Sequence, residues 1–270
     1  MCIVNIRIVA AMDDEAIVRG IANAFFDSET RQNHVHTNCL FLEVDSDGNI
    51  KTEQRIGNFD RGRVVSVVVL HDGLTAVAHI NNGHQAGFLT LLKAASTQGN
   101  SIQWFIISAV LSLTQQSTDA IKPPDVNKVM TACWDEYCGA SRACDGKKMA
   151  SIFHPVCRLT FSTNTGELTI KSQEEFCDRV EMRYTSDAHS PYKHLQRDPR
   201  VKEGDSLLGV EFGTPSLAMV TLKVGHPPFL WTDVLTCAFL KIGNTKGGEK
   251  KWWIVAKSSS NEPFLTDLSM

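Results

Sequence analysis

One aspartate in the second half of the chain is placed where a carboxylate could transfer protons. Asp233 lies between Trp231 and Leu235 in the segment WTDVLTCAFLK, whose apolar pattern predicts a β-strand. A carboxylate surrounded by apolar side chains has a raised pKa and can act as a general base near neutral pH. The alternative interpretation is a structural aspartate that holds a loop through an ion pair or hydrogen bonds. We expect any catalytic site to use Asp233.

Three further residues of the second half could complete this chemistry. Tyr137 lies on the apolar face of a predicted helix and could donate a hydrogen bond to an oxyanion, or be a core residue with one hydroxyl partner. His154 begins a His-Pro turn and could carry a proton, or cap a helix or pack under the sheet. Lys257 ends the last predicted strand and could pair with Asp233, or be solvated. Tyr137 and His154 are therefore the candidate proton donors.

Aromatic residues of the second half could line a pocket for a small hydrophobic molecule. With Lys257, the predicted substrate-binding residues are Trp134, Phe153, Trp231 and Trp252. The same rings could instead fill the interior and leave no room for a ligand. The polar segment 183–205 could close over the mouth of the pocket, or be a plain surface insertion.

The spacing of the cysteines and histidines does not predict a metal site. The chain has eight cysteines, none of them in a Cys-x2-Cys pair, and the pair His34 and His36 has no further ligand at metal spacing. Six of the cysteines follow residue 130, which favours free thiols in a reducing compartment over a disulfide framework. We expect no metal, no cofactor and a cytoplasmic location.

The elements that position these residues occur twice along the chain. GNSIQWFIISAVL and GEKKWWIVAKSSS align with Trp104 on Trp252, and the glycine turns VDSDGNI and TNTGEL also correspond. An amphipathic helix opens each half. We predict an α+β fold of two tandem cone-shaped domains, each a helical N-terminal part packed on a strongly curved antiparallel sheet, at residues 1–118 and 119–270.

The first copy is degenerate, since it lacks a second helix. At the offset of the tryptophan pair, Gln85 takes the position of Asp233, and an amide cannot accept a proton in this way. We therefore place the pocket in the second copy. The strands read as apolar on both sides, so we expect the two sheets to pack on each other as an intramolecular pseudo-dimer.

Bulk composition excludes two classes of partner. The 270 residues carry a formal net charge of -3 and have a pI near 6.3, without the dense basic patch that nucleic-acid binding needs. No apolar run approaches the roughly 20 residues that span a bilayer, and the N-terminal residues show no signal-peptide cleavage site. We expect neither nucleic acid nor membrane as a partner.

Ordered motifs of the second half carry a family resemblance. They are Phe153–His154–Pro155, Gly166–Glu167–Leu168, Ser172-x-x-Glu175–Phe176 and Trp231–Thr232–Asp233. In this order they resemble the lumazine-binding-like branch of the nuclear transport factor 2-like superfamily, which also contains ketosteroid isomerase and polyketide cyclases. The resemblance covers about residues 126–258 and implies the cone fold.

Three functions of different classes remain open. The first, which we favour, is a metal-free isomerase, cyclase or dehydratase that acts on a small hydrophobic substrate with Asp233 as base. The second is a binding protein that holds a hydrophobic ligand without converting it. The third is a scaffold in which the tandem domains present sheet surface to a protein partner.

Overall fold

A computed structural model describes residues 12–27, 29–53, 62–70, 73–95, 102–114, 125–162, 167–186, 189–242 and 249–266. The chain forms two six-stranded sheets, each preceded by helical segments. The fold is α+β in two tandem halves, as the sequence predicts. The proposed domain boundary after residue 118 lies outside the described residues, so the domain limits stay a prediction.

The first half begins with one α-helix and continues as a sheet. The helix is α1 (Met12–Ala24), and a 3-10 turn (Arg31–Asn33) follows it. The strands are β1 (Val35–Val44), β2 (Ile50–Glu53), β3 (Arg63–Val69), β4 (Thr75–Asn81), β5 (Gln85–Ala95) and β6 (Ile102–Leu113). They lie in the order β2-β1-β6-β5-β4-β3, and β1 and β6 are parallel. The sequence predicts an antiparallel sheet, and the structure corrects this at one pair of strands.

The second half has the same strand order with more helix. Its helical segments are α2 (Val126–Met130), a π-helix (Thr131–Tyr137), α3 (Cys138–Ala143), α4 (Gly146–Ile152), α5 (Gln173–Ser186), a 3-10 helix (Ser190–Arg197) and α6 (Pro199–Gly204). Its strands are β7 (Phe153–Ser162), β8 (Leu168–Ser172), β9 (Ser206–Thr214), β10 (Leu217–His226), β11 (Phe229–Lys241) and β12 (Lys250–Pro263). The order is β8-β7-β12-β11-β10-β9, again with one parallel pair, β7 and β12.

Side chains that alternate along each strand separate two cores. On β11, Leu235 and Cys237 face the helices of their own half, whereas Val234 and Ala238 face the other sheet. The core between the sheets combines residues of both halves: Leu40, Leu42, Val44, Leu70, Val77, Phe88 and Val110 with Leu217, Met219, Val234, Ala238, Leu240, Val255 and Ala256. Hydrogen bonds such as Thr75 Oγ1 to Ser260 Oγ, at 3.2 Å, also cross this interface. The two sheets thus bury one face against each other, as expected of a pseudo-dimer.

The strand registers correct the predicted correspondence between the halves. Trp104 pairs with Lys93 on β5, whereas Trp252 pairs with Phe239 on β11. When the two tryptophans are superimposed, Phe239 therefore corresponds to Lys93, and Asp233 corresponds to Gly87 rather than to Gln85. The sequence alignment is wrong by two residues along β11, because the chain has two more residues between β11 and β12 than between β5 and β6.

The insertion of the second half is helical and docked. Leu195 and Val201 are buried, and Asp205 forms an ion pair with Arg142 of α3 and accepts a hydrogen bond from Gly225 N at 2.9 Å. These contacts attach the 3-10 helix and α6 to α3 and β10. In the part of the chain that the structure describes, no helix has the length and apolar character needed to cross a membrane.

Candidate functional site

Four polar side chains meet in the apolar interior of the second half, and we call them the Asp233 cluster. Tyr137 Oη donates to Asp233 Oδ2 at 2.6 Å, and Ser259 Oγ donates to Asp233 Oδ1 at 2.6 Å. Lys257 Nζ forms an ion pair with Asp233 Oδ1 and a hydrogen bond with Ser259 Oγ. All four residues are 3% exposed or less, which makes this a desolvated polar network inside a hydrophobic core.

Strand pairing positions three members of the cluster. In the antiparallel register of β11 and β12, Asp233 is opposite Ser259, and Leu235 is opposite Lys257. Alternation along both strands then places Asp233, Lys257 and Ser259 on the face that carries Leu235, toward the helices. Tyr137 comes from the opposite side, at the end of the π-helix, a wide-turn geometry that is frequent at functional sites.

Burial determines the protonation state of Tyr137. It raises the pKa of the phenol well above its ordinary value, and the charge and hydrogen bond of Asp233 raise it further. Tyr137 therefore stays protonated at neutral pH and acts as a hydrogen-bond donor.

The Lys257 ammonium is enclosed by aromatic rings as well as by its carboxylate partner. Its Nζ lies 5.8 Å from the ring centre of Tyr137, 5.4 Å from that of Phe161 and 5.6 Å from that of Phe176. Burial lowers the pKa of Lys257, while the charge of Asp233 opposes that shift. The ion pair and the ring faces replace the water that the ammonium loses.

A second polar group, which we call the Arg183 cluster, consists of Ser141, His226 and Arg183. Ser141 Oγ is 2.6 Å from His226 Nε2, and Arg183 Nη1 donates to Ser141 O at 3.3 Å and to Ser141 Oγ at 3.5 Å. Burial, followed by the positive charge of Arg183, lowers the pKa of His226 well below its ordinary value. The imidazole is therefore neutral near pH 7, although its Nδ1 is buried without a hydrogen-bond partner.

The two clusters are neighbours. Ser141 follows Tyr137 by four residues, which is about one helical turn, so both side chains lie on one helix face. The positive charge of Arg183 also acts on both side chains. It lowers the pKa of Tyr137, against the larger raising effects of burial and of Asp233. It lowers the pKa of Lys257 in the same direction as burial does. The polar interior thus extends along the helix from Asp233 toward the end of β10.

The structure brings Asp233, Tyr137 and Lys257 together, but it places His154 elsewhere. Phe153 faces the helix-side core, so alternation turns His154 to the other side of β7. Its ring packs edge-on against Trp253 with centroids 5.5 Å apart, and its Nδ1 accepts from Val156 N at 3.3 Å. Burial lowers the pKa of His154. Of the two candidate donors, only Tyr137 reaches Asp233.

The predicted aromatic residues divide into near and distant ones. Phe153 packs on the Tyr137 ring with centroids 5.9 Å apart, and Trp231 packs on Phe161 at 5.8 Å. Trp252 instead contacts other rings further along the sheet, and Trp134 packs partly buried against the helix-side core. Trp231 is half-buried, so this predicted binding residue is both partly exposed to solvent and in contact with a ring next to Lys257.

Sequence reasoning missed Ser259, Ser141, Arg183 and His226. Ser259 lies two residues beyond Lys257, and strand alternation would have placed both on one face if β12 had been predicted to continue through Pro263. Ser141 is one turn from Tyr137, which is also visible in the sequence. Arg183 and His226 had no such signal, because they are brought together only by their separate contacts with Ser141 of α3.

Thiols and metal ligands complete the inventory of reactive groups. Cys39, Cys133, Cys138, Cys157, Cys177 and Cys237 are free thiols, and Cys133 Sγ lies 3.1 Å from Cys237 Sγ in the buried core. Among the residues that the structure describes, no three His, Cys, Asp or Glu side chains are grouped closely enough to hold a metal ion, and this includes His34 and His36.

In the described part of the first half, apolar residues occupy the strand positions of the Asp233 cluster. By strand register, Gly87, Ala109 and Leu111 replace Asp233, Lys257 and Ser259. A Cβ atom at Gly87 would lie 2.0 Å from Val110 O, so no side chain fits there without movement of the backbone. The candidate site therefore belongs to the second half alone.

Comparison with known proteins supplies structural matches only. No family model matches the chain, and no curated protein matches it. A solved protein of unknown function from Silicibacter pomeroyi, named NTF-2 like, is 19% identical, covers 51% of this chain and 95% of its own, and has a TM-score of 0.37. One from Shewanella baltica, named NTF2-like and also of unknown function, is 14% identical, covers 53% and 99%, and has a TM-score of 0.39.

A ketosteroid isomerase-like protein from Erwinia carotovora atroseptica is 9% identical, covers 50% of this chain and 95% of its own, and has a TM-score of 0.32. Each of these structures corresponds to about one half of the chain. These three structures are named as NTF2-like or ketosteroid isomerase-like proteins.

Proposed function

We propose that the second half binds a small, largely apolar molecule and transfers a proton on it without a metal, as an isomerase, cyclase or dehydratase does. The observation that carries the proposal is the 2.6 Å hydrogen bond between Tyr137 Oη and Asp233 Oδ2, a donor and a carboxylate in direct contact within an apolar interior. The fold itself positions both groups, through β11 and the end of the π-helix, which is the preorganisation that electrostatic catalysis requires.

The roles of the residues follow from their contacts. A carbonyl oxygen of the substrate would replace Asp233 as the acceptor of the Tyr137 hydrogen bond. Asp233 Oδ2, released from that bond, would then take the proton from the carbon next to the carbonyl, and Tyr137 would stabilise the resulting enolate oxygen. Lys257 and Ser259 would hold Oδ1 and keep the carboxylate oriented. Return of the proton from Asp233 to another carbon completes an isomerisation. Its transfer to a neighbouring hydroxyl group, which then leaves as water as the enolate collapses to an alkene, completes a dehydration.

A second function is supported by a different observation. Three donors already occupy the oxygens of Asp233, so the network is complete on its own. Such a network also suits a protein that binds an apolar ligand against the aromatic rings and leaves it unchanged.

The free buried thiols support our further proposal of a reducing compartment, the cytoplasm.

The experiment compares two tyrosine variants of the full chain. Deuterium uptake next to the carbonyl of small ketones such as 2-indanone and β-tetralone is followed by NMR in D2O, because proton removal from such a carbon is common to the proposed reactions. We expect the wild type to accelerate uptake and Tyr137→Phe to lose about 10²–10³-fold of that rate, as when an oxyanion donor is removed.

The matched control is Tyr184→Phe. Tyr184 is also nearly buried and donates its hydroxyl to Gln196, outside the Asp233 cluster, so this variant loses a comparable hydrogen bond. It should retain the wild-type rate of deuterium uptake. A wild type that is no faster than buffer, or two variants that lose equal activity, would show that the catalytic assignment is wrong.

A further inference from the structure

Arg183 is a buried cation without a carboxylate partner in the described part of the chain. Arg183 is 8% exposed. Its Nη1 donates to the backbone oxygen of Ser141 at 3.3 Å and to the Ser141 hydroxyl at 3.5 Å. The other charges of this interior are matched, since Lys257 pairs with Asp233. One positive charge therefore remains in a region where an isolated charge is strongly unfavourable.

The environment of Arg183 contains a second unmatched polar group. His226 is 2% exposed, its Nε2 contacts Ser141 Oγ at 2.6 Å, and its Nδ1 has no hydrogen-bond partner. Buried polar atoms are almost always paired, so an orphaned nitrogen beside an unneutralised guanidinium calls for a specific explanation. A ligand that carries one negative charge and hydrogen-bonding oxygens would satisfy both groups.

We propose that Arg183, His226 and Ser141 form a subsite for the carboxylate group of the small molecule whose apolar part lies against the Asp233 cluster. This inference rests on the proposed function in one respect, namely that the second half binds a small molecule in this interior. Arginine is suited to a carboxylate because its planar donors can engage both oxygens. The single uncompensated charge matches a carboxylate, whereas a phosphate dianion would leave the site with excess negative charge.

The placement of the clusters also defines the substrate class. Ser141 lies four residues after Tyr137, about 6 Å along the helix at 1.5 Å per residue. A carboxylate at Arg183 would therefore leave a short apolar chain or ring to reach Tyr137 and Asp233. The ligand class is a small apolar carboxylic acid with a carbonyl group or an acidic carbon at that distance from its carboxylate.

The experiment uses probes that differ only in their polar group. Affinities of the full-length protein for phenylacetate, phenylacetamide and phenyl phosphate are measured by ligand-observed NMR at pH 7. We expect the wild type to bind phenylacetate at least about tenfold more tightly than phenylacetamide, since a hydrogen bond to a buried charge is worth that much. Phenyl phosphate should bind more weakly than phenylacetate.

Variants identify the residue responsible. Arg183→Gln should abolish the preference for the acid, and Arg179→Gln should retain it, because Arg179 is on the same helix but exposed. Equal affinity of the wild type for acid and amide, no binding of either, tighter binding of phenyl phosphate, or a preference that survives Arg183→Gln would each overturn the proposal. The wild-type comparison decides the matter even if Arg183→Gln does not fold.

The outcomes separate this inference from the proposed catalysis. A wild type that prefers phenylacetate but does not accelerate deuterium uptake into the ketones retains the subsite and refutes the proton-transfer function. A wild type that accelerates deuterium uptake into the ketones but shows no preference for phenylacetate supports the proton-transfer function and refutes the carboxylate subsite.

Discussion

The ion pair between Lys257 and Asp233 predicts a large and specific loss of stability when one partner is removed. Lys257→Met keeps most of the side-chain length but leaves the Asp233 carboxylate, 1% exposed, without its counter-charge. Breaking a buried pair in this way costs about 3–5 kcal/mol of unfolding free energy. Tyr137 and Ser259 continue to donate to the carboxylate, so we expect the lower end, about 3 kcal/mol.

The double variant Lys257→Met with Asp233→Asn tests the cause of that loss. The Asp233 cluster then carries no charge, and the asparagine oxygen still accepts a hydrogen bond, so the double variant should be more stable than Lys257→Met alone and within about 1–2 kcal/mol of the wild type. Unfolding in urea, followed by circular dichroism at pH 7, measures both values. If Lys257→Met costs less than about 1 kcal/mol, or if the double variant is no more stable than it, the two side chains are not a buried pair and the site geometry is wrong.

Two further predictions concern backbone packing and protonation. Gly87→Ala should destabilise the chain by about 1–3 kcal/mol, because its Cβ would lie 2.0 Å from Val110 O, whereas Gly209→Ala, with no atom within 4 Å of its Cβ, should have little effect; equal thermal shifts would refute the β5 packing. His226 has a lowered pKa when folded, so the unfolded chain binds the proton first, and stability should fall as pH drops below about 6.5, by up to about 1.4 kcal/mol per unit. His226→Gln should remove that part of the slope, and an unchanged slope in urea titrations from pH 7.5 to 5 would contradict it.

The sequence predicts those site residues whose own segment carries a signal. Asp233 is a charge within an apolar strand, and Tyr137 is a hydroxyl on an apolar helix face, so periodicity alone indicates that both point inward. The segment of His154 has no such period, and His154 lies in the irregular stretch of the β7–β12 pairing between the Phe153 and Arg158 pairs. Its position on the opposite face could only be recognised from the sheet.

The Arg183 cluster shows the limit of sequence reasoning more clearly. Ser141, Arg183 and His226 come from α3, α5 and the end of β10, and only tertiary packing brings these elements together. The offset of the repeat failed for a related reason. The sequences of two similar strands do not show where additional residues have been inserted between them. The pairing register of the strands does show it.

The apolar replacement of the site in the first half has a consequence for how such a protein can change. In a symmetric homodimer every substitution appears twice, so a costly buried charge would burden both subunits. Here Gly87, Ala109 and Leu111 are apolar at the positions that correspond to Asp233, Lys257 and Ser259, and the sheet that carries them packs directly on β11 and β12 of the other half. Because the two halves belong to one chain, each can change independently of the other. The first half can keep an apolar packing surface, while the second half holds the destabilising buried polar groups of the proposed site.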